Sequence, residues 1–270
     1  LRGLVGGELC IEILTEGVHS GDASGIVPSS FRILRQLLNR IDDPDSGVVC
    51  AGEFNAAIPD KRIAQAHTAA EVLGDTVYSK FPFVTNARPL VRDPAELILN
   101  RTWRPALAVT GADSLPAIAN AGNVLRAKTS VKISLRLPPT VDAQSASRKL
   151  KLLLEDQPPY GAAVSFTPDW AAHGWNAPET TRWLEQALDE ASMHHFGKHA
   201  MYMGEGGSIP FMAMLGERFP RAQFLITGVL GPHSNAHGPN EFLHLPAARK
   251  LTGCVAEVIA QHYQHIWHDT

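Results

Sequence analysis

The stretch SVKISLRLPP, residues 130–139, decides the fold. Val131, Ile133, Leu135 and Leu137 fall on one face, and Lys132, Ser134 and Arg136 on the other. Alternation with a period of two marks a half-buried β-strand, and the pair Pro138–Pro139 ends it because proline brings no N–H to a ladder. Downstream, the spacing of Ala146, Leu150 and Leu153 predicts a helix from about Val141 to Glu155, and residues 162–167 read as a strand with Val164 and Phe166 inward. Upstream, residues 106–110 read as a strand. Residues 8–14 alternate Leu9, Ile11 and Ile13 against Glu8, Cys10 and Glu12, a further strand. Between these two strands Phe31, Leu34, Leu38 and Ile41 recur at helical spacing, with Pro28 and Ser29 near the helix start. The order is β-α-β-β-α-β, the split-βαβ or ferredoxin-like arrangement: four antiparallel strands with two helices on one face. The residues between Asp42 and Arg104 are long for a crossover connection. They read as an insertion, about 42–104, with a helix around Lys61–Leu73.

After about Pro168 the pattern changes. Leu184, Leu188 and Ala191 predict a helix from about Glu179 to His195. A helix-like FMAMLG, a strand near Gln223–Val229 and a last helix carrying Ala248, Leu251, Val255 and Ile259 follow. This α/β portion offers few strands and suits a part that completes a larger sheet. The division expected is 1–168 and 169–270.

With 44% hydrophobic and 19% charged residues the composition is that of a globular protein. A net charge of -3 argues against a nucleic-acid groove, and no apolar run approaches the ~18 residues of a membrane span. Cys10, Cys50 and Cys254 are odd in number and far apart, which favours free thiols and a cytoplasmic setting. The start at Leu1, without Met or a signal peptide, is expected for a cut inside a longer chain.

Four segments are rich in Gly, His and polar residues. In GVHSGDASG (17–25), His19 lies just past a strand, either as a plain surface turn histidine or as a functional donor. Arg136 sits on the polar face of its strand; it is either solvated or placed to grip a carboxylate bidentately. In GEGGSIP (204–210), Gly206, Gly207 and Ser208 precede a helix, a pattern that suits a simple N-cap by Ser208 or exposed N–H groups for an anion. No GK[ST] or GxSxG accompanies it. In HSNAHGPNE (233–241), Gly238 and Pro239 make a loop, so His233 and His237 do not form a helical ligand pair. A single histidine ligand steadied by Asn240 or Glu241 fits better. One histidine cannot hold zinc, which takes at least about three protein ligands.

Taken in order, GVHSG, TWRPALAVTG (102–111), NVLRAKTSVKISLRLPP (123–139), GEGGSIP and NAHGPNE resemble the dinuclear zinc exopeptidases. These include carnosinase-like and cytosolic non-specific dipeptidases, glutamate carboxypeptidase, succinyl-diaminopimelate desuccinylase and aminoacylase. The resemblance implies an α+β lid, residues 1–168, through which two subunits dimerise, and the C-terminal part of an α/β zinc-peptidase catalytic domain, residues 169–270. It implies a centre of two zinc ions, or another divalent metal such as manganese, in the full-length enzyme. His237 matches one metal ligand, and the others belong to a preceding portion carrying H-x-D and Glu-Glu motifs. His19 matches an oxyanion donor delivered across the dimer, Asn123 and Arg136 match substrate grips from the lid, and Gly207 and Ser208 match the grip on the substrate carboxylate. The implied reaction is cleavage of a dipeptide or C-terminal residue, with this chain inactive by itself. Removal of an N-acyl or succinyl group from an amino acid, or a non-catalytic dimerisation module, are the alternatives.

Overall fold

The computed structural model of the chain describes residues 1–268. In chain order its regular elements are β1 (Gly3–Glu12), β2 (Val18–His19), α1 (Ser20–Ala23), α2 (Ser30–Leu38), α3 (Asp60–Leu73), α4 (Thr76–Ser79), α5 (Pro94–Thr102), β3 (Ala106–Asp113), β4 (Val124–Leu125), β5 (Lys128–Leu137), α6 (Ala143–Glu155), β6 (Ala163–Ala172), α7 (Arg182–Phe196), α8 (Pro210–Arg218) and α9 (Leu245–His268).

The four long strands form one antiparallel sheet in the order β3-β5-β1-β6, with α2 and α6 packed on it. This is the ferredoxin-like arrangement that the alternation around Ile133 predicts. β1 is central and pairs on both sides, Leu9 with Val131 of β5 and with Phe166 of β6. The core is the inward face of these strands closed by the helices: Val5, Leu9, Ile11, Ile133, Leu135 and Phe166 against Ile33, Leu37, Ala146, Leu150 and Leu154. Each of the larger of these side chains contributes roughly 1.5–3 kcal/mol by leaving water.

Two helical faces are rotated from the spacing read in the sequence. Ser29 caps α2, its hydroxyl accepting from the Arg32 N–H. This start buries Ile33, Leu34 and Leu37 and leaves Phe31 about half exposed. In α6 it is Leu154 that is fully buried, with Leu153 packed at the margin. β1 begins five residues earlier than the alternation indicates, at Gly3 rather than residue 8, because Gly6 and Gly7 break the apolar pattern while the ladder to β5 stays continuous; the ladder to β6 shifts register between them. β6 runs on past Pro168 to Ala172, where it pairs with Leu4.

The insertion has a small core of its own: Ala66, Ala69, Val77, Ile98, Leu99 and Trp103 join α3, α4 and α5. Asp93 caps α5 through the Ala95 N–H, with Pro94 at the first helical position. In the C-terminal portion α7 packs on α9 through Leu184, Ala187, Ala191, Cys254 and Val258. The strand expected near Gln223–Val229 does not form. A strand exists through hydrogen bonds to a neighbour, and no strand of the described residues runs beside it; Phe224 packs edge-on against Trp175, while Ile226 and Val229 stay about half exposed. No helix of the described residues is long and apolar enough to cross a membrane.

Because Ile133 is fully buried at the centre of the sheet, Ile133→Ala should lower the unfolding free energy by roughly 2–5 kcal/mol. Leu152→Ala, on the exposed side of α6, should change it by no more than about 0.5 kcal/mol. Urea unfolding of the two variants measures the contrast.

Candidate functional site

The sheet carries Arg136 near the C-terminal end of β5, opposite Leu4 of β1 and Ala106 of β3. Its outward, polar-face position is a consequence of the strand period, since both neighbours, Leu135 and Leu137, are committed to the core. There its guanidinium meets the Gly-rich loop: Arg136 Nη1 donates to the Ser208 hydroxyl at 3.1 Å. The Ser208 hydroxyl in turn donates to the Arg2 carbonyl at 2.7 Å. Ser208 therefore does not cap the helix that follows. The cap position of α8 is Ile209, which has no side-chain capping bond, and Pro210 opens the helix.

Arg2 organises this junction. Its side chain is almost wholly enclosed. Nε donates to the Gly206 carbonyl at 3.2 Å, and Nη1 donates to the Asn100 and Arg104 carbonyls at 3.2 and 3.3 Å. One guanidinium thus holds the start of β1, the end of α5 and the loop 204–208 together. Burial, then the nearby charges of Arg136 and Arg101, lower its pKa to about 10, with Glu205 opposing; it stays charged at neutral pH. The loop approaches closely enough that a Cβ on Gly206 would lie 2.8 Å from the Arg101 carbonyl. Over Gly207, by contrast, the space is open. Glu205 lies 3.7 Å from Arg101. Two buried polar atoms beside the loop, Arg101 Nε and the Tyr202 hydroxyl, have no hydrogen-bond partner among the described residues. Burial, followed by the charges of Glu185 and Asp189, raises the Tyr202 pKa.

His19 and Asn123 meet elsewhere, on a small two-stranded ribbon. His19 of β2 is paired with Val124 of β4, and the Ser20 N–H donates to the Asn123 carbonyl at 2.9 Å. Both side chains are exposed.

His237 lies in a third place. Its loop is built from left-handed backbone at His233, Asn235, His237 and Asn240. Buried Ser234 ties it down by donating to the Leu230 and Gly231 carbonyls, and the Asn235 side chain donates to the Pro239 carbonyl. The His237 N–H donates to the Glu241 carboxylate at 2.7 Å. The carboxylate thus steadies the backbone of His237, while the imidazole stays exposed. Among the described residues no group of three metal-ligating side chains includes His237. The donors that would complete a two-ion centre are therefore not gathered around it in this chain, and one imidazole does not hold zinc.

The structure brings Arg136, Gly207 and Ser208 together, and His19 with Asn123. Arg2, Arg101 and Glu205 are absent from the residues that sequence reasoning singles out. The only signal for Arg2 is a charge directly before an apolar strand, since its partners are carbonyls 98 and more residues away.

Residues 1–162 match the family model described as the peptidase dimerisation domain of M20 peptidases. The chain belongs to the M20 peptidase family. The cysteinylglycine-S-conjugate dipeptidase of Corynebacterium striatum is 28% identical over 250 residues, 86% of this chain and 49% of that protein. The Cys-Gly metallodipeptidase of Saccharomyces cerevisiae is 24% identical over 258 residues, 91% of this chain and 51% of that protein. The chain spans about half the length of these curated relatives. Among solved structures, the yeast dipeptidase Dug1p superposes with a TM-score of 0.73 at 19% identity, covering 98% of this chain and 55% of that one. Human carnosine dipeptidase 1 gives 0.68 at 18% identity, covering 97% and 55%. These structures share the fold of this chain over nearly its whole length.

Arg2→Met strips the Asn100, Arg104 and Gly206 carbonyls of their donor. It should cost about 1–3 kcal/mol in stability and speed amide exchange at Gly206, Gly207 and Ser208 more than in the β1–β5 ladder. Exchange that rises equally everywhere would show a general weakening and no special hold on the loop.

Proposed function

We propose that this chain is the lid, residues 1–168, and the C-terminal part of the catalytic domain, residues 169–270, of a metal-dependent peptidase acting on dipeptides or C-terminal residues. The observation that carries the reading is the Arg136–Ser208 contact at 3.1 Å. It sets a guanidinium beside a hydroxyl and a Gly-rich backbone whose open side lies over Gly207. These groups are suited to a free carboxylate: the guanidinium binds it bidentately, and exposed N–H groups ahead of α8 add donors. Arg136 Nη1 and Ser208 meet each other in the free site and would turn to the substrate when it enters.

His237 would give one ligand to a centre of two zinc ions, or of another divalent metal such as manganese. Its remaining ligands would come from a segment outside this chain. His19, exposed on its ribbon with Asn123 beside it, would act as an oxyanion donor at the site of a second subunit, and Asn123 as a further substrate contact. The unpaired outer edge of β3 supports pairing of lids into a homodimer. N-acyl amino acids also present a carboxylate, but the relatives named as Cys-Gly dipeptidases weigh toward the dipeptide. Three free, separated cysteines accord with a cytoplasmic setting.

Kinetics of the longer protein that holds the whole metal centre test these roles. Arg136→Ala should raise KM at least as much as it lowers kcat, because the carboxylate contact exists in ground and transition states alike. His19→Ala should lower kcat by about 10²–10³-fold. Mixing a His19→Ala subunit with a His237→Ala subunit should restore activity, since one site of the hybrid dimer has intact metal and an intact His19. Hybrid dimers that form and stay inactive would refute the role of His19 across the interface.

A further inference from the structure

The last turn of α7 carries two adjacent histidines that the carboxylate grip does not use. His194 Nδ1 lies 3.0 Å from Glu257 Oε2 on α9, and His195 Nε2 lies 3.2 Å from the same oxygen. The two rings stack with centroids 4.6 Å apart. Two features of the fold make the meeting possible. Gly197, in the left-handed conformation, ends α7 directly after Phe196 and fixes the final turn against α9. Gly253, one turn before Glu257, leaves room for the imidazole: a Cβ there would lie 2.5 Å from His195 Cε1. His195 and Glu257 are each about one-quarter exposed, so both are held by packing, while His194 is 72% exposed and faces water.

We propose that His194, His195 and Glu257 form a transition-metal site, with zinc(II) the expected ion, that clamps α7 to α9. The donor atoms of all three lie within 4.8 Å of one another. Two ligand atoms each about 2.0–2.1 Å from a tetrahedral zinc stand roughly 3.3 Å apart, close to the 3.0 and 3.2 Å measured to Glu257. Two imidazoles with one carboxylate select zinc, copper or nickel; calcium and magnesium prefer oxygen alone. The position left open toward the exposed His194 suits a water as fourth ligand. A metal here would cross-link two helices whose shared apolar contact consists chiefly of Leu184, Ala187, Ala191, Cys254 and Val258. The site shares no residue with the His237 loop and uses none of the residues assigned to substrate.

The test is a titration of the ¹⁵N-histidine-labelled chain with zinc chloride, with the thermal midpoint followed in parallel. The expected result is a shift of His194 Nδ1 and His195 Nε2 that saturates at one equivalent, together with a midpoint that rises with zinc concentration. His194→Gln, at an exposed position that leaves packing intact, should weaken binding by more than about tenfold, as should Glu257→Gln. Performing the titration in a His237→Ala background restricts the signal to the helix pair. Unmoved His194 and His195 signals at tenfold excess zinc overturn the proposal, as does equal affinity in the wild type and both variants.

Discussion

A buried guanidinium tolerates no loosely placed partner, because any donor left unpaired in a dry site keeps its full desolvation cost. Arg2 meets much of that demand through Nε and Nη1, which donate to three backbone carbonyls contributed by the end of α5, the turn after it and the Gly-rich loop. Backbone acceptors cannot rotate away as side chains can. The segments that supply them are therefore fixed relative to β1, and through the β1–β5 ladder relative to Arg136. Arg2 thus holds Ser208 near Arg136 in two ways, its side chain donating to the Gly206 carbonyl and its main-chain carbonyl accepting from the Ser208 hydroxyl.

The same junction concentrates positive charge. Burial, then the charges of Arg136 and Arg101, lowers the Arg2 pKa, and Glu205 opposes them. Glu205 is more than half exposed and meets Arg101 only at 3.7 Å, so it offsets little. Cationic groups held together by packing, with a weak counter-charge, are an arrangement that an incoming carboxylate would relieve. A Gly at 206 lets the loop approach the arginines closely, and a Gly at 207 keeps its outer surface open.

The candidate residues were legible to different degrees. Arg136 was legible because strand alternation dictates its face whatever packs above it. Ser208 stood out through its glycines, yet its partner was not predictable: the N-cap that local sequence suggested went to Ile209, because the Ser208 hydroxyl had better acceptors and donors in Arg2 and Arg136. His19 and Asn123, separated by about a hundred positions, come together through the β2–β4 ribbon, two short strands with too little pattern to be read. The His194–His195–Glu257 group was invisible for a similar reason, since it depends on how α7 crosses α9.

The ferredoxin-like sheet is written in the sequence, since the period-two faces of β1, β5 and β6 and the order of helices between them permit few other ways to bury Ile133, Leu9 and Phe166. The sequence also locates the polar loops, because Gly and Pro punctuate the chain locally. Tertiary structure alone decided the rotation of α2 and α6, the failure of residues 223–229 to form a strand, and the enclosure of Arg2. Each of these depends on a partner distant in the chain. A helix face is chosen by the sheet it covers, a strand exists only if a neighbour runs beside it, and a charge can be buried only where the fold delivers its acceptors.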